Sequence, residues 1–130
     1  MIASNNIFNI RATRQAWLGQ TGSRKGFCTF RDRWWCIRAW GRLMQTYRTM
    51  HGCKTIRQIV TRFAPPAENS TDDYIGFCCK RVGLLPDEPL TCRDEYVRLA
   101  KAMAWMETNS EVEESTVRNV MSYLRFNIEE

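Results

Sequence analysis

Six cysteines and one histidine give this chain its potential for metal binding or nucleophilic chemistry. The cysteines are Cys28, Cys36, Cys53, Cys78, Cys79 and Cys92. They form no CxxC pair and no histidine lies at ligand spacing, so the pattern argues against a zinc site. His51 directly precedes Gly52 at a predicted helix end, where its charge suits the helix dipole better than catalysis. We therefore expect no metal and no cofactor, with reduced thiols that pack as small hydrophobic groups.

Charge is distributed unevenly along the chain. Residues 1–70 contain 12 Lys and Arg against 2 Asp and Glu, residues 71–130 contain 7 against 12, and the net charge is +5. A basic front suits a polyanion such as nucleic acid or an anionic glycopolymer, although charged residues are usually only a solvated surface. Six basic residues interleave with Trp17 and Phe27 and would carry nucleic-acid binding, for which no known motif is present. They are Arg11, Arg14, Arg24, Lys25, Arg31 and Arg33.

The first thirty residues predict a β-hairpin. The short stretch "FNI" at residues 8–10 is followed by the glycine-rich "GQTGSRKG" and then by "FCTF", which ends at Phe30. This order is typical of a strand, a long loop and a second strand. We expect Phe8, Ile10, Phe27 and Phe30 to join the hairpin to the core.

Five helices are predicted after the hairpin from their start and stop signals. They begin near Asp32, Thr55, Ser70 or Thr71, Thr91 and Ser110, and the first three end at Gly52, Pro65-Pro66 and Gly83. Thr55 with Gln58, and Ser110 with Glu113, have the spacing of a capping box. The sequence therefore predicts an α+β, mainly α fold with an N-terminal β-hairpin and about five helices.

Length and composition favour one domain over residues 1–130. The chain has 130 residues, of which 44% are hydrophobic, enough for one ordinary core. No apolar run approaches the roughly 18 residues of a membrane span, and the start lacks the apolar region of a secretory signal. We expect synthesis in the cytoplasm, no membrane span and, without a heptad pattern, a monomer. Any export would have to occur by lysis, in a virion or through a dedicated machine. The alternatives to the cytoplasm are therefore the virion and the periplasm.

The opening stretch resembles two protein families. "NNIFNIRA", "WLGQ" and "FCTF", within about residues 5–47, are similar to the asparagine-rich hairpin of bacterial glucosaminidases. In those peptidoglycan hydrolases a stretch close to N-N-L-F-G-I-K-A precedes a Trp-x-Gly and an aromatic strand. Residues 4–85 also resemble short phage and prophage proteins common in Bacteroidetes, described as virion structural proteins. The "NNIFNIR" start, "WLGQ", the "TIRQIV" helix and the "APPAENST" loop follow the same order in that family.

The resemblance implies a lysozyme-like fold and a glycosidase site. In glucosaminidases the general acid is a Glu that ends a helix before the hairpin, and almost nothing precedes Asn5 here. The segment "LAKAMAWMETNSE" resembles that helix, which implies a permuted order with Glu107 as the acid. Glu107 follows Ala104, Trp105 and Met106, and an apolar setting raises a Glu pKa until the carboxyl can hold a proton near neutral pH.

The implied site needs further groups around that acid. A second carboxylate, or an amide of the substrate, must manage the positive charge and the attacking water. Glu68 is the first candidate for this carboxylate and Glu111 the second. Asn5 and Asn6 would donate to N-acetyl groups of the sugar. The aromatic candidates for stacking on sugar faces are Trp17, Trp34 and Tyr74.

Each of these residues also has an ordinary structural interpretation. Glu107 at a helix end is most often a solvated charge, Glu68 could cap the next helix, and Asn5 and Asn6 could close a turn. Three functions therefore stay open. The first is a phage-type peptidoglycan glycoside hydrolase, either a glucosaminidase or a muramidase. The others are a non-enzymatic phage protein, such as a virion component or an inhibitor of a host protein, and a nucleic-acid-binding protein.

Overall fold

A computed structural model describes residues 3–66 and 70–128, which form a hairpin followed by five helices. The strands are β1 (Gln20–Arg24) and β2 (Phe27–Phe30). The helices are α1 (Arg33–His51), α2 (Ile56–Phe63), α3 (Thr71–Val82), α4 (Arg93–Thr108) and α5 (Glu114–Leu124). This arrangement confirms the predicted α+β, mainly α class. None of the described helices is both long and apolar enough to cross a membrane.

The first strand lies later in the chain than the sequence predicted. Strand β1 runs through the glycine-rich stretch and pairs antiparallel with β2 through a turn at Lys25 and Gly26. Both turn residues have positive φ, 52° and 85°, as a type I′ turn requires. The "FNI" stretch is instead irregular chain that lies beside β2. Its Ile10 O accepts a hydrogen bond of 3.0 Å from Cys28 N of that strand. The predicted loop therefore contains the strand, and the predicted strand is a buried loop.

Local capping signals determine most of the helix ends. Asp32 accepts a hydrogen bond from Trp35 N at the start of α1, and Thr55 and Gln58 form the predicted capping box of α2. Gly52 and Gly83 end α1 and α3 in the left-handed conformation, which glycine adopts without strain.

The start of α5 differs from the prediction. Glu113 rather than Ser110 is the N-cap of this helix, without a side-chain cap. Ser110 lies in the connector from α4, where its hydroxyl contacts the Thr108 hydroxyl. The Ser110 hydroxyl, which the capping-box spacing predicted to cap α5, therefore contacts Thr108 instead.

The N-terminal segment, residues 3–12, is part of the core rather than a loose end. Ile7 and Phe8 are fully buried, and the Phe8 ring stacks on Trp40 of α1 with 5.4 Å between the ring centroids. Ile10 and Phe30 are buried as predicted, whereas Phe27 is only half-buried. Around this segment α1 packs against α5, α3 packs against α2 and α4, and α4 packs against α5. Hydrogen bonds from Asn9 to Glu107 O and from Thr108 to Ile7 O hold the segment beside the C-terminal end of α4.

Candidate functional site

A groove of about 310 Å³ lies where the N-terminal segment and the hairpin meet the side of α1 and the C-terminal ends of α2 and α4. Its lining residues are Asn9, Ile10, Arg11, Thr13, Trp17, Phe27, Leu43, Tyr47, Phe63, Ala64 and Glu107. The residues from α1 and α2 are mainly apolar or aromatic, and the polar groups come from the N-terminal segment and α4. Among the described residues that line the groove, Glu107 is the one carboxylic acid.

Glu107 occupies the last turn of α4, next to its C-terminal end. Its carboxyl Oε1 accepts a hydrogen bond of 3.2 Å from Asn9 Nδ2, and its backbone oxygen accepts one of 3.0 Å from the same nitrogen. The neighbouring Thr108 hydroxyl donates to Ile7 O at 2.9 Å. These contacts join the end of α4 to the N-terminal segment, so the groove is closed on this side by residues about 100 positions apart in sequence.

The setting of Glu107 favours its protonated form. Burial raises the pKa of the Glu107 carboxyl, while Tyr74, Asn9 and Arg11 each lower that pKa to a smaller extent. The C-terminal end of a helix carries negative partial charge, which acts in the same direction as burial on a carboxylate. The predicted pKa rise for Glu107 therefore has a physical basis in the structure, and it is the property that a general acid needs.

Tyr74 lies behind Glu107 rather than along the groove. The Tyr74 side chain projects from α3 and is 4% exposed, and its hydroxyl has no aligned hydrogen-bond partner among the described residues. Burial and the charge of Glu107 both raise the Tyr74 pKa, which keeps the phenol protonated. Since its hydroxyl influences the Glu107 pKa without forming a well-aligned hydrogen bond, we treat Tyr74 as a buried neighbour of the acid.

Aromatic side chains form the wall of the groove. Trp17, a predicted substrate-binding residue, is half-buried and lines it together with Phe27, Tyr47 and Phe63. The Arg11 guanidinium lies 5.2 Å from the centre of the Phe27 ring. Trp34 is instead held elsewhere, where its ring nitrogen donates to Asn119 Oδ1 at 2.8 Å. The groove thus presents apolar ring faces next to the polar side chains of Asn9, Arg11 and Glu107.

The two predicted asparagines hold the backbone of the hairpin. Asn6 is fully buried, and its amide nitrogen donates to Ile10 O and Cys28 O at 2.9 Å each, while its oxygen accepts from Ile10 N at 2.9 Å. Asn5 donates to Phe30 O at 3.0 Å and to Arg31 O at 3.2 Å. Their substrate-binding role stays a prediction that this geometry does not favour. The asparagine that contacts Glu107 is Asn9, which sequence reasoning missed.

The second predicted carboxylate, Glu68, lies outside the described residues. The described chain stops at Pro66, two residues after Ala64, which lines the groove. Glu111, the weaker candidate, contributes to a separate pocket with Arg81, Lys101 and Trp105. The structure therefore brings Glu107 and Trp17 together in the groove, with Tyr74 behind the acid. Asn9, Tyr47 and Phe63 had no signal in the sequence beyond their polar or aromatic character.

The buried cysteines are unsuited to nucleophilic chemistry in this fold. Cys28, Cys36 and Cys78 are buried, and burial raises the pKa values of Cys36 and Cys78 to about 12. Thiols with such pKa values stay protonated at neutral pH. Within residues 3–66 and 70–128, no group of three or more His, Cys, Asp and Glu side chains could hold a metal ion.

Comparison with known proteins gives one informative similarity. No protein-family profile matches the chain. Protein P5 of Pseudoalteromonas phage PM2 is 35% identical to it over 74 residues, which is 57% of this chain and 46% of Protein P5. The chain is similar to a phage protein. It spans less than half the length of that relative, and the match confirms the phage character expected from the sequence. The lysozyme-like relationship and the likeness to proteins of Bacteroidetes stay proposals.

Proposed function

We propose that this chain is a phage-type glycoside hydrolase of peptidoglycan in which Glu107 is the general acid. The observation that carries the proposal is the half-buried Glu107 carboxyl in an aromatic-walled groove, with a pKa that burial raises. Cleavage of a glycosidic bond requires a proton at the leaving oxygen, and a carboxyl in an apolar setting retains that proton near neutral pH. The resemblance of the opening stretch to glucosaminidases supports the further proposal of a permuted lysozyme-like domain over residues 1–130.

The lining of the groove suits an amino-sugar polymer. Trp17, Phe27, Tyr47 and Phe63 present apolar surface of the kind that packs on sugar faces. Arg11 is exposed at the same groove and supplies positive charge toward the carboxylates of peptidoglycan. Substrate recognition would therefore combine ring stacking with electrostatic attraction.

The positive charge that develops on the sugar needs a partner. Glu68, which follows the groove-lining Ala64 by four positions in the sequence, would act as that second carboxylate or as the base that activates water. Alternatively, the 2-acetamido group of the substrate would stabilise the charge, as occurs in substrate-assisted glycosidases. Both routes use Glu107 in the same role, so the acid can be tested without deciding between them.

The direct test is digestion of purified peptidoglycan by the wild-type protein between pH 4 and 8. We expect soluble glycan fragments, and the identity of their new reducing ends distinguishes a glucosaminidase from a muramidase. No release anywhere in this range by a folded protein would contradict the proposal. The groove would then belong to a non-enzymatic phage protein that binds a host protein or polymer.

The basic surface supports binding to an anionic polymer. Arg14, Arg24 and Lys25 are exposed in or next to the hairpin. None of the three is among the groups that shift the pKa of Glu107. We expect the affinity for peptidoglycan carrying anionic glycopolymer, or for DNA, to fall steeply with salt. For DNA the slope of log affinity against log salt would be about −0.9 per contacted phosphate.

A triple substitution of these residues measures their share of the binding. In fluorescence-anisotropy titrations, Arg14→Gln, Arg24→Gln and Lys25→Gln together should flatten the DNA slope by about 2 to 3. Lys80→Gln with Lys101→Gln, on the acidic half, is the matched control. An unchanged slope in the triple variant would leave these cations as solvated surface only.

A further inference from the structure

Asn9 makes a two-point contact with the end of α4. Its side-chain nitrogen lies 3.0 Å from Glu107 O and 3.2 Å from Glu107 Oε1. An amide nitrogen carries two hydrogens, so one group can serve both acceptors. The Asn9 amide thereby fixes both the backbone oxygen and the carboxyl of Glu107. Asn9 also lines the groove.

We propose that Asn9 is the positioning residue of Glu107, which orients the carboxyl and leaves Oε2 as the oxygen that carries the transferable proton. The role rests on the proposed function, because it concerns how the acid delivers its proton. An N–H donor at Oε1 occupies a lone pair of that oxygen and favours protonation of the other one. Asn9 thereby selects the oxygen that faces the leaving group of the sugar.

The backbone at Asn9 is suited to this task. Asn9 has φ of +52°, a left-handed conformation that asparagine and glycine accept more readily than other residues. Its neighbours are fixed, since Asn6 holds Ile10 N and Ile10 O and the Thr108 hydroxyl holds Ile7 O. Asparagine accepts this backbone conformation and adds an amide that reaches Glu107.

The other groups around Glu107 have to be considered before a change of its pKa is attributed to Asn9. Tyr74 and Cys78 of α3 stay protonated, Arg11 lies on the open side, and the Tyr47 phenol of α1 has a pKa raised by burial to about 12. None of the three neutral groups, Tyr74, Cys78 and Tyr47, changes charge near neutral pH. Donation from Asn9 favours the ionised carboxyl, so its loss should raise the Glu107 pKa.

Asn9→Gly separates the amide from the backbone, because glycine adopts the left-handed φ without strain. We expect the Glu107 pKa, measured by carbon-13 NMR of the carboxyl, to rise. The high-pH limb of kcat/KM on peptidoglycan fragments should move to higher pH, and kcat should fall about 10- to 100-fold with little change in KM. Asn5→Gly is the matched control for the pKa measurement, since Asn5 also has a positive φ, of 59°, but donates to Phe30 O and Arg31 O.

The wild-type protein provides a second measurement that needs no variant. The Asn9 side-chain amide resonances should titrate with the midpoint of the Glu107 carboxyl. A Glu107 pKa that is the same in wild type, Asn9→Gly and Asn5→Gly, with no titration of the Asn9 amide, would overturn the inference whether or not the protein cleaves glycan. If instead the pKa rises in Asn9→Gly while the wild type releases no fragments, the amide–carboxyl coupling stands and the proposed hydrolase function fails.

Discussion

Glu107→Gln is expected to reduce glycan release from purified peptidoglycan by about 100- to 10,000-fold, the usual cost of losing a general acid. Glutamine keeps the shape of the side chain and an oxygen that can accept from Asn9, and it removes only the proton that the sugar needs. Fragment release should be followed by chromatography and mass spectrometry at matched protein concentration. Activity within a few-fold of wild type would exclude Glu107 as the acid.

The same variant should not be less stable than wild type at neutral pH. The folded-state pKa of Glu107 lies above its unfolded value of about 4.3, so ionisation disfavours the folded state as pH rises through the folded pKa. Below the unfolded pKa this penalty is absent. We therefore expect the thermal midpoint of Glu107→Gln to equal or exceed that of wild type at pH 7, and the difference to vanish at acidic pH.

Glu68→Gln is a companion variant that identifies the second group. A loss of activity comparable to that of Glu107→Gln would assign Glu68 to the water or the sugar cation. A small loss, with a lowered thermal midpoint, would assign it to capping of α3. Full activity in Glu68→Gln would favour participation of the substrate's own acetamido group.

Asn6→Ala is expected to cost about 3 to 5 kcal/mol of unfolding free energy, because three buried hydrogen bonds to the backbone are lost at about 1 to 3 kcal/mol each. The loss is partly relieved by relaxation and by the bond that Ile10 O keeps from Cys28 N. Asn6 is fully buried and joins Ile10 to Cys28 through hydrogen bonds of 2.9 Å. Urea unfolding monitored by tryptophan fluorescence measures the change.

The neighbouring Asn5→Gly serves as the control for that measurement. Asn5 is only half-buried, and water can replace its bonds to Phe30 O and Arg31 O, so its loss should cost about 1 kcal/mol or less. If Asn6→Ala kept wild-type stability but lost affinity for amino sugars, Asn6 would be the substrate-binding residue that the sequence predicted. A large loss of stability assigns it to the hairpin.

The sequence was informative wherever the determining contact is local. Asp32, Thr55 and Gln58 bond to backbone groups within three residues, so their spacing alone predicts where α1 and α2 begin. The place of β1 depends on the Lys25–Gly26 turn competing with other glycine-rich turns nearby, and periodicity does not decide between them. The apolar faces of the helices predicted burial but not which members of those faces line a groove.

The resemblance led to Glu107 as the proposed acid, whereas the residues around it were not predicted. Asn9 and Glu107 are 98 positions apart, and no local pattern links an asparagine in a loop with a carboxyl at the end of a distant helix. Tyr47 and Phe63 were not predicted to line a groove, because helical spacing cannot distinguish a side chain facing the core from one facing a groove. These assignments depend on tertiary packing.

The junction between the N-terminal segment and the end of α4 has a consequence for biosynthesis. Its two side-chain links join residues 98 and 101 positions apart, which are non-local contacts of the kind that form late in folding. During translation, the segment that contains Asn9 must wait for nearly the whole of α4 to emerge before it can dock. Until then Glu107 lacks the burial that raises its pKa. Under the proposed function, a nascent or partly folded chain is therefore expected to be inactive until residues 3–12 dock against the end of α4.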